Sequence, residues 1–263
     1  MSVDVKKYYD ERSRQWARQF ASGNRRIDRQ RALVSAAIRR DASRVLIIGC
    51  GIGDLAHHIA SRVAPSAHVL ATDISGEAVH IARRLHAHRR VAYRVLDAVT
   101  DEIEGEYDVI ILPDTYEHIP IPLRKILHER LARAMSARSM CILTLPSPSH
   151  QRHLKEQAEG LQIIDEIVTL DDLRVFAQDV GGELSYFNMI HVWRANDYIH
   201  AVIERGAATA VALGDADRTP LKRAPDTVWR RRLLRATGIR LLMGVFRQWR
   251  IRRTLRSMAR ETS

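Results

Sequence analysis

The chain has 263 residues, 46% of them hydrophobic and 28% charged, a balance expected of a soluble globular protein. It has no run of about 18 apolar residues, and Met1 to Tyr8 lacks an apolar h-region, so neither a transmembrane helix nor a secretory signal is expected. The net charge of +11 is unevenly held: residues 218–263 carry fourteen Lys and Arg against two acids, +12, while residues 1–217 sum to −1.

Residues 4–40 read as helical, with Tyr8, Tyr9, Trp16 and Phe20 on one face, and 1–40 is expected to form a helical lid. Strand and helix signals then alternate. Arg44–Ile48 is a strand, Leu55–Val63 a helix, His68–Thr72 a strand and Glu77–His86 a helix. Val91–Leu96 and Tyr107–Leu112 are strands, Pro122–Met135 a helix and Met140–Leu145 a strand. Such alternation predicts a parallel sheet with helical crossovers. Residues 147–165 read as a loop with a short helix, and Leu170–Val180 as a helix stopped by Gly181-Gly182. Glu183–Met189 and Asp197–Glu204 are near enough to pair antiparallel. A domain over 1–205, a linker over 206–226 and a basic amphipathic helical tail over 227–263 are expected. Cys50 and Cys141 lie in apolar strand-like segments and read as reduced, buried thiols of a cytoplasmic protein, with no disulfide framework or zinc site.

The strongest chemical signal is Val45-Leu46-Ile47-Ile48-Gly49-Cys50-Gly51-Ile52-Gly53-Asp54, a strand running into a glycine-rich turn and a helix. Glycines there let backbone approach a ligand at the strand's carboxyl end. A dinucleotide fingerprint, G-x-G-x-x-G, needs its third glycine at position 54, where this chain has Asp54, so a nicotinamide or flavin cofactor is disfavoured.

With that loop, the chain resembles the class I S-adenosylmethionine (SAM)-dependent methyltransferases, in the broad group acting on small molecules and glycans. The likeness runs over about residues 1–205. It rests on Gly49, Gly51 and Gly53, on Asp73 ending the second strand, on Asp97 ending the third, and on Tyr107 to Ile119. The resemblance implies a Rossmann-like, seven-stranded α/β sheet, mostly parallel with an antiparallel last strand, followed here by the basic helical extension. It implies SAM as cofactor, with the glycine loop beside the methionine part, Asp73 on the ribose hydroxyls and Asp97 on the adenine amino group. Cofactor contacts are expected from Gly49, Cys50, Gly51, Gly53, Asp73, Ile74, Asp97, Ala98 and Pro113. One position departs from the family: two residues before the first glycine, where an acid is common, stands Ile47, which leaves that contact to Asp54 or to loop backbone.

Methyl transfer from a sulfonium needs alignment above all, and a hydroxyl nucleophile gains from a base. His118, just past the fourth strand, is the expected general base, and Asp114, Glu117 and Tyr9 are expected to contact substrate. His150, His153 and His191 lie in segments expected to cover the site. No ligand set stands at metal spacing, so no metal is expected.

In the tail, Leu242, Val245, Phe246 and Trp249 form an apolar stripe among Arg240, Arg247, Arg250, Arg252, Arg253 and Arg256. That pattern suits an anionic membrane surface and peripheral placement at the inner membrane face. Docking on the chain's own domain, a homodimer contact and a nucleic-acid arm are the alternatives. The expected reaction is O-methylation of a hydroxyl on a glycan, glycolipid or secondary metabolite. Methylation of a lipid-like or quinone-like hydroxyl, or of an amino-sugar nitrogen, is the alternative. Base methylation in nucleic acid is disfavoured, because Leu112-Pro113-Asp114-Thr115-Tyr116 replaces the Asn/Asp-Pro-Pro-aromatic motif. A non-catalytic SAM-binding protein is the reading that Ile47 leaves open.

Overall fold

The computed structural model describes residues 3–20, 24–158, 160–206, 249, 251, 253 and 254. The 206–226 linker beyond Gly206, and the 227–263 tail apart from those last four residues, lie outside the described residues.

Seven strands form one sheet in the order β3-β2-β1-β4-β5-β7-β6. They are β1 (Arg44–Ile48), β2 (His68–Asp73), β3 (Val91–Val95), β4 (Tyr107–Pro113), β5 (Met135–Pro146), β6 (Glu183–Ile190) and β7 (Tyr198–Glu204). β1 to β5 pair in parallel, and β7 runs antiparallel between β5 and β6. This is the Rossmann-like, seven-stranded sheet that the resemblance implies. β1 is apolar on both faces because both are covered: Val45 and Ile47 pack on the side of α2 (Arg25–Ala37) and α3 (Asp54–His58), Leu46 and Ile48 on the side of α5 (Ile121–Ala134). Cys50 and Cys141 are buried free thiols.

Three boundaries differ from the sequence expectation, each for a local reason. The 4–40 stretch is two helices, α1 (Val3–Phe20) and α2, because Asn24 caps α2, its side chain accepting the Arg26 amide at 2.9 Å. The 55–63 helix is α-helical only to His58 and closes in a π turn over Ile59–Val63. β5 begins at Met135, where the polar Ser136 and Arg138 hide the strand in the sequence. Its beginning is tied to β4 by Ser139 Oγ, which donates to the Tyr107 carbonyl at 2.6 Å.

α1 is docked on the start of α4 (Gly76–Leu85). The Asp10 carboxylate accepts from Ser75 Oγ at 2.6 Å and from the Glu77 amide at 3.1 Å, at the positive end of that helix. Arg14 pairs with Glu77 at 2.6 Å. Ile251, from the tail, is 4% exposed and packs with Ala17 of α1 and with Ile81 and Leu85 of α4. Trp249 is 51% exposed, with the Arg253 guanidinium 5.1 Å over its ring. Among the described residues no helix is long and apolar enough to cross a membrane.

Candidate active site

The parallel strands end together, and their carboxyl ends open into a cavity of about 530 Å³ roofed by α1 and α2. One half is built from strand ends. The turn after β1 brings Gly49, Cys50 and Gly51 to the wall, with Asp73 and Ile74 from β2, Asp97 and Ala98 from β3, and Pro113 from β4. The Asp73 carboxylate accepts the Gly51 amide at 2.8 Å on one oxygen and the Ser75 amide at 2.9 Å on the other. Each oxygen keeps a lone pair. Burial holds this carboxyl above the usual carboxylate range, against the two amides that pull it down. Asp97 turns its own loop, accepting the Val99 amide at 2.9 Å.

Gly53 corrects the expectation: it does not line the cavity. It has φ +84°, and a Cβ there would meet the Tyr93 ring at 2.7 Å and Ala82 at 2.9 Å, so its glycine serves helix packing. Ile47 is fully buried in the core. Asp54 does reach the cavity, but one of its oxygens is held by Arg31 of α2 while the other is buried without a partner.

Residues 45–137, β1 to the start of β5, match the family model described as a methyltransferase domain. That match spans about a third of the chain and marks this stretch as similar to a methyltransferase domain. A comparison with curated protein sequences finds no match. Solved structures share the fold. The magnesium protoporphyrin IX methyltransferase of Synechocystis, crystallised with S-adenosylhomocysteine, is 20% identical, with TM-score 0.54 over 72% of this chain and 83% of its own. A TehB-like SAM-dependent methyltransferase of Corynebacterium glutamicum is 18% identical, with TM-score 0.57 over 76% and 99%. The N-methyltransferase NodS of Bradyrhizobium japonicum, also with S-adenosylhomocysteine, is 12% identical, with TM-score 0.55 over 70% and 86%.

The other half of the methyltransferase cavity is assembled from distant segments. His118 ends a short 3-10 turn after β4 (Tyr116–His118) and is buried. Its Nδ1 lies 2.6 Å from the Ile164 carbonyl oxygen and 3.4 Å from Asp165 Oδ1, and its Nε2 lies 3.8 Å from Glu117 Oε1. Glu117 is 1% exposed, its Oε2 has no partner, and burial raises its carboxyl above the ordinary range. Tyr9 stands with its ring 6.2 Å from that of His118 and its buried hydroxyl unpartnered. Asp114, an expected substrate contact, lines the cavity. Its carboxylate pairs with Arg26 and accepts from Gln30 Nε2 at 2.6 Å, pinning α2 to the end of β4. Of the three further histidines only His150 lines the cavity; His191 is exposed and away from it.

Sequence reasoning did not single out Arg26, Gln30 and Arg31. Their signal is the helical spacing of Arg26 and Gln30 behind the Asn24 cap. Nor did it single out Trp193, Tyr198 or the residue that sets them. Asp197 accepts the Val192, Trp193 and Arg194 amides, each at 2.8 Å, which holds its carboxyl low despite burial. That knot presents Trp193, 48% exposed, at the cavity edge beside Tyr198 and His150.

Proposed function

We propose that this methyltransferase methylates a hydroxyl of a polyhydroxylated acceptor, a glycan, glycolipid or related secondary metabolite, with His118 as general base. The observation that carries the reading is the contact of His118 Nδ1 with the Ile164 carbonyl. A carbonyl only accepts, so the 2.6 Å contact to Ile164 places the imidazole proton on Nδ1 and leaves the Nε2 lone pair for an acceptor proton.

The strand-end half fits SAM: Asp73 has lone pairs that would take two ribose hydroxyls, Asp97 and Ala98 would border the adenine, and Gly49 to Gly51 would leave room for the methionine part. Bound there, the cofactor supplies a methyl already activated by its sulfonium. His118 Nε2 takes the hydroxyl proton as the oxygen attacks, and the Glu117 and Asp165 carboxylates stabilise the imidazolium that results. Glu117 Oε2 and Gln162 Oε1 line the same half, are buried without partners and act only as acceptors. Hydroxyl groups of the acceptor satisfy them, and Trp193 gives its apolar ring face a wall. The Glu117 and Asp165 carboxylates beside His118 favour a second reading, methylation of an amino-sugar nitrogen.

A screen of methyl transfer from labelled SAM to polyols, glycolipids, quinols, amino sugars and RNA tests this. Transfer to a polyol hydroxyl, lost in His118→Ala, is expected. Transfer to RNA alone overturns it.

The basic tail is proposed to hold the enzyme reversibly on an anionic membrane surface. Exposed Trp249 with Arg253 above it supports that role, while Ile251 fixes the other side of the segment to the domain.

A further inference from the structure

In a doubly wound sheet each parallel crossover normally lays a helix on one face. The β3–β4 crossover, residues 96–106, contains none. α4 covers one face of β2 and β3, and the opposite face is left open at the amino edge of the sheet, the far end from the active site. There the structure has a second cavity of about 500 Å³, floored by Leu70 and Ala92. Its rim carries Arg44, Arg89, Arg90 and Arg94 with His68, against a single acid, Glu104.

Two of these guanidiniums are built into place. Arg44 lies 5.1 Å over the Tyr107 ring, and its Nη2 occupies the space of a Gly105 Cβ, which would stand 2.6 Å away. Gly105 has φ +85°, which favours glycine on backbone grounds, and its bare Cα leaves the space that Arg44 fills. Arg90 is braced by the Ser66 carbonyl at 3.0 Å and by His68 at 3.2 Å, while its buried Nε has no partner. Among the described residues no carboxylate pairs with Arg44, Arg89 or Arg90, and Arg94 meets Glu104 only at 3.7 Å. Positioned, unneutralised guanidiniums around a cleft match the planar, multidentate recognition of phosphate oxygens. Ordering them in advance removes part of the entropy cost of binding.

We propose that this cleft is a second ligand site, which binds the phosphate or diphosphate group of a soluble organic phosphate. It stands independently of the acceptor assigned to the active site.

The test is calorimetric titration of the full chain with inorganic pyrophosphate, for wild type, Arg44→Gln/Arg90→Gln and Arg94→Glu. The last variant changes an exposed side chain and leaves the fold intact. Saturable binding is expected in wild type, weakened about tenfold or more in both variants as charged hydrogen bonds are lost, with S-adenosylhomocysteine affinity unchanged. Absence of binding in wild type overturns the proposal. Equal binding in the variants does so too, because the basic tail is then the anion's host. Vesicles of phosphatidylcholine with phosphatidic acid form the second arm. Capture that needs these arginines, without pyrophosphate binding, assigns the cleft to a lipid surface and overturns the soluble ligand.

Discussion

The two halves of the active-site cavity are made in different ways. The half proposed for the cofactor comes from residues 49–113, at four strand ends that are neighbours in the sheet, and its polar groups are largely satisfied by local backbone. The acceptor half draws on α1, α2, the 3-10 turn, α6 (Pro148–Gln157) with the segment after it, and the loop before β7. It leaves Tyr9 Oη, Glu117 Oε2, His150 Nδ1 and Gln162 Oε1 buried and unpartnered. A site for a fixed cofactor can be finished within the fold. A site whose ligand brings the missing hydrogen bonds is finished only by that ligand, and the cost of its idle polar groups becomes selectivity for partners that match them.

If the halves are separable, the largest effect belongs to the residue where they meet. His118→Ala is expected to lower turnover by about a hundredfold or more and to leave SAM affinity nearly intact. Collapse of SAM binding in a titration of that variant makes His118 a wall of the cofactor half. Unchanged turnover moves the base to His150.

Asp73→Ala addresses the cofactor half alone. Loss of charge-assisted hydrogen bonds predicts S-adenosylhomocysteine binding weaker by about 1.5–3 kcal/mol, with the fold held by the rest of the turn. Wild-type affinity in this variant removes the ribose assignment.

The same division governs what the sequence discloses. The convergence of the strand-end half on one cavity was legible because each residue sits one step beyond an apolar strand, as Gly49-Cys50-Gly51, Asp73 and Asp97 do. Gly53 misled, since a packing glycine and a ligand-facing glycine look alike until Tyr93 is placed against it. All seven strands were readable from apolar runs, with β5 shortened by its polar start. The acceptor half was not legible, because Arg26 meets Asp114, and Asp165 meets His118, only through tertiary contacts across segments without a shared period. Asp197 shows no sequence signal, as three amides converge on it only after the chain turns at Asn196, whose φ is +54°.

The tail extends the comparison beyond the cavity: Ile251 faces the domain and Trp249 faces out. Trp249→Ala is expected to weaken binding of the full chain to anionic vesicles about fivefold, the worth of partial burial of one large apolar side chain. Ile251→Ser is expected to leave vesicle binding in place while loosening α1, read as faster hydrogen exchange within α1. Vesicle binding that ignores Trp249 and salt alike removes the membrane proposal.

The smallest effect tests the idle carboxylate itself. Glu117 is held above its ordinary pKa of 4.5 chiefly by burial, with His118 opposing. In the unfolded chain it ionises near the ordinary value, so folding is disfavoured by its charge only once the pH exceeds about 4.5, and increasingly up to the raised folded value. Glu117→Gln removes that charge and is expected to melt higher than wild type at neutral pH, by a few degrees, with the two curves merging below about pH 4.5. Turnover moves the other way, by a few fold, because the imidazolium of His118 loses a neighbouring carboxylate. A stabilised, slower enzyme is the signature of a group kept for its ligand. Equal melting at every pH means that Glu117 is already satisfied, and the acceptor half then loses its strongest claim to a donor-rich substrate.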